Sequence, residues 1–291
     1  MNTKPLSTAA HVSLRQSLNK VPEATVYFWF IKIMCTTVGE TAADFLNVNL
    51  NLGLEATAVL MAALLAVALV IQFRTRKYVP AVYWLAVVLI SVVGTLITDL
   101  LTDNVGISLK ASTLVFMLAL AATFAVWFAV EKTLNIHAIN TTRREIFYWL
   151  AILFTFALGT AAGDLVAETF AVGYLPSALM FAVVIAVIAA ARYAVRVNSV
   201  LAFWAAYILT RPLGASLGDY LSQSTDDGGL GLGTKVTTVA FLVVVLVLVT
   251  FLSLTRRDAT ESRLPAGPQG TGPTEPDPAP KESIASWDGT E

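Results

Sequence analysis

Apolar residues fall in eight long runs, at roughly 24–46, 54–73, 80–102, 108–130, 145–168, 174–195, 198–221 and 234–254, with short polar breaks between them. A bilayer core about 30 Å thick needs about 20 mostly apolar residues per helix, so each run predicts one membrane-spanning helix. Residues 1–22 are polar and mixed, and the first apolar run begins too late and runs too long for a cleaved signal peptide. After Thr255 the chain turns polar, and six of its eleven prolines lie between Pro265 and Pro280. Such a segment buries too little apolar surface to offset the entropy of ordering it. The expected organisation is a tail over 1–23, a transmembrane domain over 24–254 and a disordered tail over 255–291.

Within the runs, one frame recurs: Trp, then Gly ten residues on, then Asp five further. It occurs as Trp29/Gly39/Asp44, Trp84/Gly94/Asp99, Trp149/Gly159/Asp164 and Trp204/Gly214/Asp219. Random placement would supply roughly 0.01 such triplets in a chain of this composition, so the frame marks an internal repeat. The tryptophans are 55, 65 and 55 residues apart, a two-repeat unit duplicated across a longer central loop. Each repeat holds two helices, with approximate bounds 24–77, 78–132, 143–196 and 197–254.

Loop charge sets the expected orientation. The breaks after the even runs carry Arg74, Arg76 and Lys77; Lys132, Arg143 and Arg144; Arg192 and Arg196; and Arg256 and Arg257. The breaks after the odd runs carry no Lys or Arg except Lys110 and Lys235 at their far margins. By the positive-inside rule both termini are cytoplasmic. Every repeat has an even number of helices, so all four enter the membrane in the same direction and are related by an axis along the membrane normal, unlike inverted repeats. The fold class is therefore an all-α membrane protein of about eight transmembrane helices in four pseudo-symmetric tandem repeats.

Composition agrees: 56% of residues are hydrophobic and 13% charged, far from the roughly 25% charged residues of a soluble domain. A net charge of −1 gives no support to a nucleic-acid partner. Cys35 stands alone inside an apolar run, which rules out an intrachain disulfide and reads as helix packing. His11 and His137 are far apart in polar segments and suggest no metal site, and Trp287 is a lone aromatic in the tail.

The candidate chemistry lies in the charged residues inside the runs. Fifteen residues of helix span about 22 Å, which puts each Trp near the cytoplasmic interface and each Asp toward the outer end. Trp29, Trp84, Trp149 and Trp204 read as interfacial anchors, and the glycines with their small neighbours as close helix contacts. A carboxylate inside a span costs about 2.5 to 3.5 kcal/mol on insertion scales and normally faces the protein interior or a water-filled path. Lys32, Thr36, Glu40 and Asp44 share one helical face, and Asp99/Asp103 and Asp164/Glu168 are further acid pairs one turn apart. Four residues after a loop glycine stand Thr57, Lys110, Ser177 and Lys235. That alternation predicts ion pairs Asp99–Lys110 and Asp219–Lys235, and leaves Glu40, Asp44, Asp164 and Glu168 as the candidate cation site. Arg211, at the position of Thr36 and followed by Pro212, reads either as part of a broken-helix site or as a structural cation paired with a nearby acid beside a kink.

These residues resemble a family of bacterial membrane proteins made of four tandem repeats, each with two transmembrane regions and a characteristic tryptophan, usually called uncharacterised membrane-anchored proteins. The likeness covers about residues 24–254 and is strongest at TTVGETAADFL in the first repeat. Repeat four departs most, with Arg211-Pro212 and a long Gly-rich outer loop. The resemblance implies the fold and a bacterial cytoplasmic membrane, but names no substrate.

No Ser/His/Asp set, phosphate loop or zinc motif is visible, so the chain does not read as an enzyme and calls for no cofactor. The expected partners are the lipid bilayer and a small cation, with a homo-oligomer an open option. A surplus of carboxylates with Thr and Ser oxygens suits a hard cation, which points to a transporter or channel for a small cation, a divalent metal among the candidates. The alternative is a non-transporting scaffold or sensor whose buried charges are structural.

Overall fold

The computed structural model describes residues 19–49 and 52–258, except for the side chains of Val48 and Asn49. The tails expected at the two ends, with His11 and Trp287, therefore lie mostly or wholly outside the described residues. Within them the chain is all-helical: α1 (Val26–Asp44), α2 (Leu54–Arg74), α3 (Pro80–Asp99), α4 (Leu109–Glu131), α5 (Thr142–Asp164), α6 (Tyr174–Ala194), α7 (Ser199–Ser222) and α8 (Thr234–Thr255).

Local chemistry starts most of these helices. Thr25, Ser108, Thr141 and Asn198 cap α1, α4, α5 and α7 by accepting backbone N–H groups of the first turn, and Pro80 opens α3. The chain enters α2, α6 and α8 through Gly53, Gly173 and Gly233, all at positive φ. These tight reversals suit glycine, which has no Cβ to clash. After Asp44, Asp99 and Asp164 the helix widens into a single π-helical turn, at Phe45–Asn49, Leu100–Asn104 and Leu165–Thr169. In repeat four, α7 instead stays α-helical through Pro212 to Ser222.

Seven of the eight helices are long and apolar enough to cross a membrane. The exception is α1, which has 19 residues and carries Lys32, Glu40 and Asp44. Its position accounts for that polarity. The odd helices form a closed ring in which α1 packs on α3, α3 on α5, α5 on α7 and α7 on α1, while the even helices lie outside it. More than half of each apolar window in α3, α5 and α7 is buried, against less than a third in the even helices. An inner helix answers to its protein neighbours, and an outer one must match the lipid.

Each even helix leaves its own repeat. The main partners are α2 on α3, α4 on α5 and α6 on α7, and α8 returns to pack on α1. Every repeat thus clasps the next, and the fourth clasps the first.

The repeat glycines set the spacing of the ring. A Cβ placed on Gly39 would lie 1.8 Å from Ser91 Oγ; on Gly94, 2.6 Å from Phe156 Cβ; on Gly159, 2.3 Å from Arg211 Cγ; and on Gly214, 1.8 Å from Thr36 Oγ1. Thr36, Ser91, Phe156 and Arg211 each stand three residues before a repeat glycine, so one residue–glycine contact is repeated four times around the ring. The small-residue packing expected for these glycines is what the fold uses.

The tryptophans do not form an interfacial belt. Trp84, Trp149 and Trp204 are buried, and Trp29 is half-buried. Together with Phe28, Tyr83, Tyr148, Phe203 and Tyr207 they fill the ring at the end where the odd helices begin, in edge-to-face and tilted contacts. The Tyr83 and Tyr148 hydroxyls meet at 2.6 Å, and Trp204 Nε1 donates to the Leu134 carbonyl at 2.9 Å. The repeat placed these rings at the right depth. Because the odd helices are the inner ones, the rings face one another instead of the lipid.

Beyond this aromatic layer the segment before α1 crosses the end of the bundle. Lys20 Nζ pairs with Glu145 Oε2 at 2.6 Å and donates to the Phe73 carbonyl at 3.1 Å, while Gln72 donates to the other Glu145 oxygen at 3.1 Å. The Lys20 N–H donates to Ile139 O, and the Glu23 N–H to Asp258 O. This strap ties the start of the described chain to α2, to α5 and to its own far end.

A carboxylate cup at the end of the helix ring

At the opposite end, where the odd helices finish, the four repeat aspartates converge. Asp44, Asp99, Asp164 and Asp219 line one cavity of about 270 Å³ together with Glu40, Asp103, Glu168, Asn47, Thr102 and Gln223. Exposure rises outward along it. Glu40 and Asp219 are buried, Asp44, Asp99 and Asp164 are half-buried, and Asp103 and Glu168 are exposed. Carboxylate oxygens of Glu40, Asp164 and Asp219, from three different helices, lie within 4.8 Å of one another. The carbonyl ends of the odd helices point the same way, and their partial negative charge adds to that of the side chains.

Arg211 forms the floor. Fully buried, it donates from its Nη2 nitrogen to Glu40 Oε2 at 2.8 Å, to Thr160 Oγ1 at 2.6 Å and to Thr95 Oγ1, and from Nη1 to the Thr36 carbonyl at 3.4 Å. Its partners share a logic. Glu40, Thr95 and Thr160 each stand one residue after a repeat glycine, as does Ala215 on α7, so one guanidinium gathers the three polar members of a fourfold layer. Glycine at 159 leaves the space that the Arg211 side chain fills. Of the two readings of Arg211, the structure supports the pairing with a nearby acid.

Glu40, Asp44, Asp164 and Glu168, the residues expected to bind a cation, all line the cup. So do Asp99 and Asp219, which were expected to be locked to lysines. Those ion pairs do not form: Lys110 and Lys235 are exposed, and Lys110 Nζ lies 5.9 Å from the centre of the Phe170 ring. Because α4 and α8 pack on the outside of the ring against the next repeat, a lysine in the first turn of either helix is carried away from the axis. The hydroxyls at the equivalent positions do not reach the cup either: Ser177 Oγ donates to Gly173 O at 2.6 Å within its own helix, and Thr57 is buried outside the cavity lining.

Sequence reasoning missed Thr95 and Thr160, although their shared place after the repeat glycine was a readable signal. It also missed the amides Asn47 and Gln223, although Gln223 stands four residues after Asp219 as Asp103 and Glu168 do after Asp99 and Asp164, and Asn47 stands three after Asp44 as Thr102 does after Asp99.

The sequence as a whole matches the family described as Repeat of Unknown Function (DUF347) four times, over residues 27–78, 82–133, 147–198 and 202–258. Each matched unit begins two residues before its tryptophan. No curated protein and no solved structure matches the chain. Four consecutive matches spanning most of the length, on a ring built from four equivalent helix pairs, place this chain in the DUF347 repeat family.

Proposed function

We propose that this protein is a carrier for a small, hard cation, held in the cup and admitted alternately from the two sides of the membrane. The observation that carries the reading is the convergence of all four repeat aspartates on one cavity. Carboxylates inside a membrane span are expensive and normally mark an ion path. All the donors are oxygens, from carboxylates, amides and a hydroxyl, with no His or Cys among the lining residues. That set suits Mg²⁺, Ca²⁺ or Mn²⁺ better than a softer metal. It also offers no nucleophile and base pair, so the reading is transport and not catalysis.

A carrier fits better than an open pore because the axis is filled below the cup, first by Arg211 and then by the aromatic layer. Orientation rests on charge. The basic loops lie at the aromatic end, which the positive-inside rule assigns to the cytoplasm, so the cup opens to the outside in this conformation and both termini are cytoplasmic. The apolar outer faces of the even helices meet the lipid. One chain completes the cup, which therefore needs no second copy.

The test is binding, then flux. Purified protein should be stabilised against heat by one or more of Mg²⁺, Ca²⁺ and Mn²⁺, and vesicles containing it should take up the same ion. Asp164→Asn and Asp219→Asn, from the closest carboxylate group, should fold and lose at least tenfold in affinity, about 1.4 kcal/mol. A parent protein that no cation stabilises and that moves none would leave the acids as structural elements of a scaffold.

A further inference from the structure

We infer that Lys32 is a proton-binding site beneath the cup, and that its protonation opposes cation binding above it, which makes the carrier a cation/proton exchanger. The inference rests on the cation-carrier reading and adds the coupling ion to it.

The observation is a buried amine without a hydrogen bond. Lys32 is fully buried in α1, and its Nζ finds no hydrogen-bond partner. It lies instead over two aromatic faces, 3.9 Å from the centre of the Tyr207 ring and 4.8 Å from that of Phe156. A structural lysine at such depth is normally satisfied by a carboxylate or by carbonyls. Among the described residues no carboxylate lies within ion-pairing distance of this one. The nearest acid on its own face, Glu40, is two turns away and is held by Arg211.

The other groups around it complete the setting. From α7, Tyr207 and Arg211 face it; from α5, the Phe156 ring; on α1 itself, Cys35 follows three residues on. The two remaining neighbours of α1 bring no counter-charge. In α3 the titratable residues Tyr83 and Asp99 sit at opposite ends, and in α8 Lys235 is exposed. A full positive charge on Lys32 is thus stabilised only by two ring faces and opposed by Arg211, whereas the neutral amine is tolerated. Such a group changes charge when its surroundings change.

Its distance from the cup sets the strength of the coupling. Eight residues of helix place Lys32 about 12 Å below Glu40. At that separation and an effective dielectric near 20, a protonated Lys32 weakens binding about tenfold for a monovalent ion and about a hundredfold for a divalent one. By reciprocity, a bound cation expels the proton with the same factor. On the side away from the cup the hydroxyls of Tyr207, Tyr148 and Tyr83 continue the polar path toward the other end of the ring. Exchange makes and breaks one N–H bond at the amine, whose lone pair takes up a proton from water and returns it there, and no other covalent bond changes.

The experiment uses the full-length protein in detergent, with Mg²⁺ and Na⁺ as probes, across mildly acidic to mildly alkaline pH. Calorimetry in buffers of different ionisation heat gives both affinity and protons released per ion. The parent should bind more tightly as pH rises and release protons on binding. Lys32→Met should bind more tightly than the parent at acidic pH and release about one proton fewer. Lys32→Arg, which cannot lose its charge, should bind weakly throughout and also lose that proton. Since the cup's own acids remain in both variants, proton release equal to the parent's, with an unchanged pH dependence, overturns the inference while leaving the carrier reading standing. A parent that binds neither ion overturns both.

Discussion

The ring is fixed by single atoms at four places, and the glycines there can be ranked. An added methyl on Gly159 meets Arg211 Cγ at 2.3 Å and Cβ at 2.5 Å, whereas one on Gly163, a turn further along α5, meets nothing closer than 3.5 Å. Gly159→Ala should therefore cost about 1 to 3 kcal/mol by overpacking and disturb the floor of the cup. Gly163→Ala should melt within a degree or two of the parent, helped by the better helix propensity of alanine; equal losses in both would mean that the close approach at 159 does not govern packing. The Lys20–Glu145 pair gives a second residue-scale prediction. With both side chains at least nine-tenths buried, removing one charge strands the other, a loss on the order of 3 to 5 kcal/mol. Lys20→Met and Glu145→Gln should each destabilise, and the double variant should recover part of the loss. A third concerns Asp258, whose carboxylate accepts the Tyr78 hydroxyl. Burial raises its pKa above the usual aspartate range. A carboxyl with a raised folded-state pKa contributes stability below its unfolded value and loses it as pH rises through the folded one. Asp258→Asn should thus gain on the parent at neutral pH and lose that advantage in acid, as read from melting temperatures at the two pH values.

At the scale of helices, the clasp between repeats is the feature that can be tested. Thr238 Oγ1 donates to Thr41 Oγ1 at 2.8 Å, joining the last helix to the first. With Cys35 replaced by Ser, the pair Thr41→Cys/Thr238→Cys should close a disulfide under mild oxidation, while Asp99→Cys/Lys110→Cys should not, as gel mobility before and after reduction would show. The same feature marks the limit of what the sequence could tell. The Trp/Gly/Asp frame, the two helices per repeat and their common direction were all legible, because periodicity and charge asymmetry are properties of a linear chain. Which helix packs on which is not such a property. The assumption that Asp99 and Lys110 meet because they share a repeat failed for that reason alone. The tryptophans failed similarly: an aromatic at the right depth reads as a belt residue unless the helix is known to be an inner one. The cup lay between, since its acids could be named from their depth in the helices but not assigned to one cavity.

For the molecule as a whole, charge and shape are polarised along one axis, with basic loops and aromatic packing at one end and a carboxylate-lined cavity at the other. Insertion should follow that polarity. A cysteine placed near Asp227, replacing native Cys35, should react with an impermeant reagent added outside intact cells, and one near His137 should not; the reverse pattern would turn the cup toward the cytoplasm. The last structural feature concerns the two ends of the described chain. The Glu23 N–H reaches the Asp258 carbonyl at 2.9 Å, next to the place where α8 closes the ring on α1. A closed ring whose ends touch has no necessary starting point. A circular permutant, opened in the loop between Lys132 and Thr141 and joined by a short linker from Asp258 to Asn19, both of which contact Tyr78, keeps every helix contact, the Lys20–Glu145 pair and every residue of the cup. It should fold and bind the same ions as the parent, so the order of the four repeats along the chain would be incidental to the site they build.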